Sequence, residues 1–225
     1  MFIEFFGFPA SGKSRAAELL NMELRNLQQT TLLYSHGRCI AGEDNLKSCK
    51  SLIPINNKPG PQFIEKLNLF FIIFSTIMTG PVDTINKLRF VKRLLVLFTA
   101  LRKSKDKIII CDEGFVQLYI SAQMPQKKSL DLDALKVDLS AIFKLISHVV
   151  AISCKKDVIN KRLSDRVLDH SRSKKWGVEL TSICLNEYDR TIALITRTYS
   201  HQVTSVEQEN NCPSNIIQDI LSAHK

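Results

Sequence analysis

The chain has 225 residues, and its 31 lysines and arginines outnumber its 22 aspartates and glutamates, which gives a formal net charge of +9. Apolar residues make up 44% of the sequence and charged residues 24%, a composition that excludes a disordered chain, a collagen and a small disulfide-stapled protein. The length fits one α/β domain. The basic excess needs an explanation: nucleic acid, an anionic membrane and phosphorylated small molecules are the candidate partners, and a solvated basic surface is the alternative.

Short apolar runs alternate with helical periodicities along the chain. Strands are predicted, in chain order, at residues 1–6, 31–35, 107–111, 148–153 and 201–206. Helices are predicted at residues 14–27, 61–78, 82–103, 132–145, 155–168, 181–199 and 213–223, and a loop is predicted over 38–61. The alternation predicts a single α/β domain over residues 1–225, with a parallel sheet covered on both faces and a helical insertion, residues 38–103, between the second and third strands.

The cysteines and the apolar stretches indicate the cellular compartment of the protein. None of the six cysteines forms a C-x-x-C pair or has a zinc-like spacing from histidines, so we expect reduced thiols in a cytoplasmic protein. Cys111 and Cys154 end apolar runs and are expected to be buried. The apolar N-terminus contains Glu4 and has no basic leader, which argues against a signal peptide. The stretch 67–82 is too short and too interrupted to span a membrane, and we expect a buried helix there.

The segment from Gly7 to Ser14, GFPASGKS, matches the P-loop pattern G-x-x-x-x-G-K-[ST]. It follows a predicted strand and opens a predicted helix, which is the context that a phosphate-binding loop requires. Glycines allow the backbone N–H groups to face a phosphate, and the helix N-terminus adds partial positive charge. We therefore predict an ATP site, with Lys13 at the β- and γ-phosphates and Ser14 as a ligand of Mg²⁺. The predicted nucleotide-binding residues are Gly7, Ala10, Ser11, Gly12, Lys13 and Ser14. The alternative is a glycine-rich turn without a ligand.

Two carboxylates, Asp112 and Glu113, follow the apolar strand that ends at residue 111, as in a Walker B element. Ligands of an open α/β sheet bind beyond the carboxyl ends of its strands, so both side chains should lie near the P-loop. One carboxylate can hold Mg²⁺ through water, and the other can accept a proton from an attacking hydroxyl or water. We assign Asp112 to the metal and Glu113 to the base. A solvated turn after a core strand is the alternative.

Two arginines, Arg162 and Arg166, follow the fourth predicted strand and are four residues apart, so they share one helix face. Cationic side chains at this place can stabilise a transferred phosphoryl group, and a basic lid over the phosphates would exclude water. We therefore predict a catalytic role for both arginines and a lid-like segment at residues 155–177. A solvated basic helix is the alternative.

The order of these elements (GFPASGKS, a strand ending in DEG, then an arginine-bearing helix) resembles the P-loop nucleotide and nucleoside kinases, such as thymidylate kinase and the deoxynucleoside kinases. Residues 201–225 look like their final strand, loop and helix. The resemblance implies a three-layer P-loop NTPase fold with a five-stranded parallel sheet of order 2-3-1-4-5. It also implies ATP with Mg²⁺ as the phosphoryl donor and an arginine-bearing lid. Asp112 and Glu113 stand where these kinases carry Asp-Arg or Glu-Arg.

The predicted function is transfer of the γ-phosphoryl group of ATP to a small-molecule acceptor, for which a nucleoside or nucleotide is favoured. An ATPase or nucleotide-dependent switch acting on a protein or membrane partner, and a polynucleotide kinase, are the alternatives. The segment 86–107 is strongly basic and has an apolar stripe of Leu88, Val91, Leu95, Phe98 and Leu101. Such a helix fits peripheral contact with an anionic membrane or with RNA phosphates. We favour a surface helix that packs its stripe on the sheet and leaves its basic face in water.

Overall fold

The structure is a computed structural model that describes residues 1–35, 38–41, 61–103, 107–124, 129–165 and 177–207. Six strands in these residues form one sheet, and their bounds are β1 (Phe2–Gly7), β2 (Thr31–Ser35), β3 (Arg38–Ala41), β4 (Ile108–Cys111), β5 (His148–Ser153) and β6 (Val203–Glu207). The helices of the same residues are α1 (Lys13–Asn26), α2 (Pro61–Thr79), α3 (Thr84–Lys103), α4 (Phe115–Gln123), α5 (Leu132–Phe143), α6 (Lys156–Ser164) and α7 (Val178–Thr198).

Five of the strands are parallel and lie in the order β2-β4-β1-β5-β6. Since β4, β5 and β6 are the third, fourth and fifth predicted strands, the predicted α/β class and the order 2-3-1-4-5 are confirmed. The central position of β1 places the loop that follows it between the carboxyl ends of β4 and β5. This is the edge at which open parallel sheets bind ligands.

A sixth strand, β3, is absent from the prediction, in which residues 38–61 form a loop. β3 pairs antiparallel with β2 at the edge of the sheet. It has only four residues, so it is too short to show the period of two that marks a strand, and its pairing depends on the free edge of β2. The predicted loop is therefore wrong at 38–41, and residues 42–60 lie outside the described part of the chain.

Helix α4 is also missing from the sequence-based prediction. Seven of its nine residues are buried, because it packs against β1 on one side and against α2 and α3 on another. A helix buried on most sides has no polar face, so its sequence, FVQLYISAQ, shows no helical alternation. The other described helices match the predicted ones within a few residues. The predicted helix at 213–223 lies outside the described residues.

Side chains of β1 point alternately into two cores. Phe2 and Phe6 belong to the core that α4, α5 and α7 line, whereas Ile3 and Phe5 belong to the core on the α1 side. Burying one such side chain contributes about 1.5–3 kcal/mol to stability. Because both faces of β1 are covered, its apolar run is continuous except at Glu4.

The insertion helices α2 and α3 pack on each other and on α4. The predicted stripe of the basic segment is divided, because Val91, Phe98 and Leu101 pack against the core while Leu88 is 67% exposed. The expected packing of the stripe therefore fails at Leu88, and the elements that α3 contacts include α2 and α4. Helix α2 was expected to be buried, but it exposes Phe71. Within the described residues, a search for helices that combine the length and the apolar character needed to cross a bilayer finds none.

Candidate functional site

The segment Gly7–Ser14, here called the glycine loop, connects β1 to α1 and has a tightly turned backbone. Gly12 precedes α1 with φ +99°, a conformation that favours glycine. A Cβ atom on Gly7 would lie 2.3 Å from the carbonyl oxygen of Ile152 on β5, so only glycine fits there. Ala10 also has a positive φ, +71°. Such a conformation costs about 1 kcal/mol or more in a non-glycine residue and tends to occur at functional sites.

The loop folds around a buried cation. Lys13 is only 8% exposed, and its Nζ donates hydrogen bonds to the carbonyl oxygens of Gly7 at 2.8 Å and Phe8 at 2.9 Å. The hydroxyl of Ser11 is buried close by, and no hydrogen-bond partner among the described residues reaches it. A buried, unsatisfied hydroxyl costs about 1–3 kcal/mol. A phosphate oxygen would satisfy both the ammonium and this hydroxyl, so the loop fits an anionic ligand.

Asp112 connects the glycine loop to the end of β4. Its Oδ2 accepts hydrogen bonds from the hydroxyls of Ser14, at 2.6 Å, and Ser35, at 2.5 Å. The carboxylate is 1% exposed, and its backbone N–H donates to the carbonyl oxygen of Tyr34 at 3.2 Å. Three elements, α1, β2 and β4, therefore meet at one oxygen atom. Ser35 was not among the predicted site residues, although it ends a strand that the predicted order places beside β4.

The oxygens of Ser14 and Asp112 suit Mg²⁺, a hard cation that prefers oxygen ligands. No group of three or more histidines, cysteines, aspartates or glutamates in the described part of the chain could hold a metal ion. An ion bound by two protein oxygens and otherwise by water and phosphate is the arrangement that Mg²⁺ commonly adopts. The two residues therefore fit the predicted metal role.

Glu113 forms an ion pair with Arg93 of α3, and each side chain is about one quarter exposed. The expected base is thus engaged by a cation that the sequence analysis assigned only to a basic surface helix. An arginine does reach a carboxylate after β4, Glu113, but it comes from the insertion rather than from the adjacent position. Local sequence could not show this contact, because it depends on how α4 supports α3.

Of the two predicted lid arginines, Arg162 lies at the loop. It is half-buried on α6, and its guanidinium donates to the carbonyl oxygen of Ala10 at 3.2 Å and to Sγ of Cys154 at 3.8 Å. Arg166 and the rest of the lid-like segment from 166 to 176 lie outside the described residues.

Two thiols lie near the site. Cys111 is buried as expected, and burial raises its pKa well above the ordinary value, with further contributions from the negative charges of Asp112 and Glu4. Cys154 is also expected to be buried but is half-buried, because it follows the end of β5 at the ligand-facing edge. Partial burial raises the pKa of Cys154, while Arg162 opposes the shift.

A buried carboxylate, Glu4, lies in the middle of β1 and is 0% exposed. It accepts hydrogen bonds from the backbone N–H groups of Val116, at 3.2 Å, and Gln117, at 2.8 Å. Burial raises the pKa of Glu4 to about 7, and hydrogen bonds from the start of α4 oppose the increase. Glu4 is not among the predicted site residues, although a charged residue within an apolar strand is a visible signal in the sequence.

The structure brings most of the predicted site residues to one edge of the sheet. These are Gly7, Ala10, Ser11, Gly12, Lys13, Ser14, Asp112, Glu113 and Arg162. No protein-family model matches the chain, and no curated protein matches it.

Proposed function

We propose that this chain is an ATP-dependent phosphotransferase in which the glycine loop is a P-loop, within a three-layer fold like that of the nucleotide and nucleoside kinases. The observation that carries the proposal is the 2.6 Å hydrogen bond from Ser14 to Asp112. It joins a Gly-Lys-Ser loop at a helix N-terminus to a carboxylate at the end of the neighbouring parallel strand. This pairing is the one expected of a nucleotide-binding P-loop with its Walker B element.

ATP phosphates would occupy the concave side of the glycine loop. Lys13 would exchange the carbonyl oxygens of Gly7 and Phe8 for the β- and γ-phosphates, and the Ser11 hydroxyl would gain an acceptor. The N-terminus of α1 adds partial positive charge at the same place. These features favour a polyphosphate over a neutral ligand.

Ser14 and Asp112 would hold Mg²⁺, which neutralises negative charge on the phosphates when it is bound. In the structure the two side chains contact each other directly. Ser35 holds the same carboxylate from β2 and so fixes its orientation. Arg162, which reaches the loop at Ala10, is placed to stabilise the transferred phosphoryl group.

For the acceptor side we propose that Glu113 takes the proton of the attacking hydroxyl and that Arg93 orients Glu113. Both side chains are about one quarter exposed, so an acceptor can reach them from solvent. The acceptor we propose is a small molecule with a free hydroxyl, a nucleoside or nucleotide being the first class to test.

A second candidate is an ATPase or nucleotide-dependent switch with a protein or membrane partner. The partial exposure of Glu113 favours it, since water has the same access to this carboxylate as an acceptor does. A polynucleotide kinase is a third candidate, favoured by the exposed cations Arg89 and Lys92 on α3.

The test is an assay of γ-labelled ATP with nucleosides, nucleotides, sugars and RNA ends, together with ATP binding by calorimetry. We expect a labelled acceptor with the wild type and loss of both ATP binding and transfer in Lys13→Ala, because the substitution removes the ammonium around which the glycine loop folds. Lys144→Ala, at an exposed position on the C-cap of α5, is the matched control and should retain both.

Three results are decisive. Lys13→Ala with unchanged ATP affinity and turnover would contradict the proposal. Release of phosphate without any labelled acceptor would favour the ATPase or switch. Labelling of RNA ends alone, with binding that falls steeply as salt rises, would favour the polynucleotide kinase.

A further inference from the structure

Helix α4 begins without a capping side chain of its own. Its N-cap residue is Gly114, which has no side chain to accept a hydrogen bond. The first N–H groups of a helix need acceptors from outside the helix. Here the carboxylate of Glu4, on β1, accepts from the N–H groups of Val116 and Gln117. Glu4 therefore caps α4, although it lies 112 positions before Val116 in the sequence.

The fit between Glu4 and the start of α4 is close. A Cβ atom on Gly114 would lie 2.4 Å from both Cδ and Oε2 of Glu4. Glycine at the N-cap thus permits the carboxylate to approach the helix backbone. The first turn of α4 is therefore held against β1 at Glu4, which lies three residues before Gly7, where the glycine loop begins.

The first turn of α4 carries Gln117, whose side chain returns to the loop. Its Oε1 accepts a hydrogen bond from the backbone N–H of Gly7 at 3.1 Å. Its Nε2 donates to the hydroxyls of Ser121, at 3.0 Å, and Tyr188, at 2.9 Å. Both ends of the amide are engaged and the residue is buried, so the acceptor atom is held toward Gly7.

Gly7 is the first residue of the glycine loop, and both its N–H and its carbonyl oxygen are hydrogen-bonded. Its N–H is held by Gln117, and its carbonyl oxygen accepts from Lys13 at 2.8 Å. The ring of Tyr188 stacks on Phe6 and meets Phe8 edge to face. Helices α4 and α7 therefore help to fix the point at which the loop leaves β1, in addition to the contacts within the loop itself.

We propose that Gln117 is a positioning residue for phosphate binding, with Glu4 fixing the helix turn that carries it. The proposal rests on the proposed function, because it concerns how the glycine loop is held for a polyphosphate. Gln117 does not contact the ligand. It acts through the Gly7 peptide, whose orientation sets the path of the backbone that follows toward Lys13.

The experiment measures the affinity of wild type and Gln117→Met for two probes, inorganic tripolyphosphate and a non-hydrolysable ATP analogue, each with Mg²⁺. Methionine keeps the volume of the side chain and removes the acceptor for Gly7. We expect the affinity for both probes to fall by roughly tenfold or more, because a buried N–H is left without a partner. Ser121→Ala is the control within the network, because it removes a partner of Gln117 but not the bond to Gly7. Its affinity should stay within about threefold of the wild type.

A purely structural role would lower stability without changing affinity. Ile142→Val, in the core on α5, is therefore measured in parallel as a variant that is less stable but has an unaltered loop. If Gln117→Met does not fold, Gln117→Asn replaces it, because its shorter side chain keeps the amide and does not reach Gly7. Exchange of the Gly7 amide hydrogen, followed by NMR, should accelerate in either Gln117 variant and not in Ile142→Val.

Failure of this inference and failure of the proposed function give different results. A wild type that binds both probes together with a Gln117 variant that binds them equally well would overturn the positioning role and leave the proposed function intact. Equal loss of affinity in Ile142→Val would overturn it as well. A wild type that binds neither probe would overturn the proposed function and this inference together.

Discussion

At the residue scale, the carboxylate of Asp112 is shared by two hydroxyls with different proposed roles. Ser14 lies in the first turn of α1 and would be a ligand of Mg²⁺, whereas Ser35 ends β2 and only holds the carboxylate. Their contacts with Oδ2 have almost the same length, 2.6 and 2.5 Å. These distances therefore do not show which serine is a metal ligand and which only orients Asp112, but substitution of each serine does.

We predict that Ser14→Ala lowers ATP turnover by about 100-fold or more, because it removes a proposed metal ligand. Ser35→Ala, the matched substitution, should raise the Mg²⁺ concentration for half-maximal turnover by roughly tenfold, which is typical when a group that orients a ligand is lost. Turnover measured across a range of Mg²⁺ concentrations distinguishes the two. Equal Mg²⁺ dependence in both variants and the wild type would show that Asp112 does not hold the metal.

At the element scale, α4 and β1 are fitted to each other through Gly114 and Glu4. The backbone of Gly114 has φ −89°, which any residue can adopt, so only the approach of Glu4 excludes a larger side chain. We therefore predict that Gly114→Ala lowers the free energy of unfolding by about 1–3 kcal/mol through overpacking. The same substitution should cost less than about 0.5 kcal/mol in a Glu4→Ser background, where the crowding atoms are gone.

A double-mutant cycle with urea unfolding measures this coupling, which we expect to be about 1–3 kcal/mol. Gly177→Ala is the control, because Gly177 is also a helix N-cap and a Cβ atom added there would have no heavy atom of the described residues within 4 Å. Its effect should be within about 0.5 kcal/mol and the same in both backgrounds. Additive effects of Gly114→Ala and Glu4→Ser would mean that the close approach does not limit the choice of residue.

The same elements show how far sequence reasoning reaches. The strands followed from apolar runs, which are local signals, whereas the order 2-3-1-4-5 followed from the resemblance to the P-loop kinases. The contacts of Ser14 with Asp112 and of Arg162 with the loop occur at the edge where the predicted order placed them. The pairing of Arg93 with Glu113 could not be predicted, because it depends on how α3 packs against α4, a buried helix that the sequence pattern does not reveal. The function of the assembled site stays a prediction.

At the scale of the whole molecule, the net charge of +9 is divided among different environments. Lys13 is buried in the glycine loop, Arg162 contacts that loop, and Arg93 pairs with Glu113. These cations surround the proposed phosphate site and account for part of the excess. Arg89 and Lys92 are exposed on α3, beside the exposed Leu88. Glu4 is one of the buried carboxylates, and the rise in its pKa makes the stability of the whole fold depend on pH.

Burial raises the pKa of Glu4 from 4.5 to about 7 in the folded chain. Burial raises the pKa of the neighbouring Cys111 thiol, and the charges of Asp112 and Glu4 raise it further. Between about pH 4.5 and pH 7 the folded chain holds a proton on Glu4 that the unfolded chain has lost. The contribution of Glu4 to the free energy of unfolding therefore falls as pH rises through this window and is constant above it.

We predict that Glu4→Gln removes this dependence, since glutamine does not ionise. The free energy of unfolding of the wild type minus that of Glu4→Gln should fall by about 3 kcal/mol between pH 4.5 and pH 8, because each pKa unit corresponds to about 1.4 kcal/mol. Urea unfolding at several pH values measures the difference, and Glu23→Gln, at an exposed position on α1, controls for the substitution itself. Because other titrating groups cancel in the difference, parallel curves for wild type and Glu4→Gln would show that the buried carboxylate is not protonated near neutral pH.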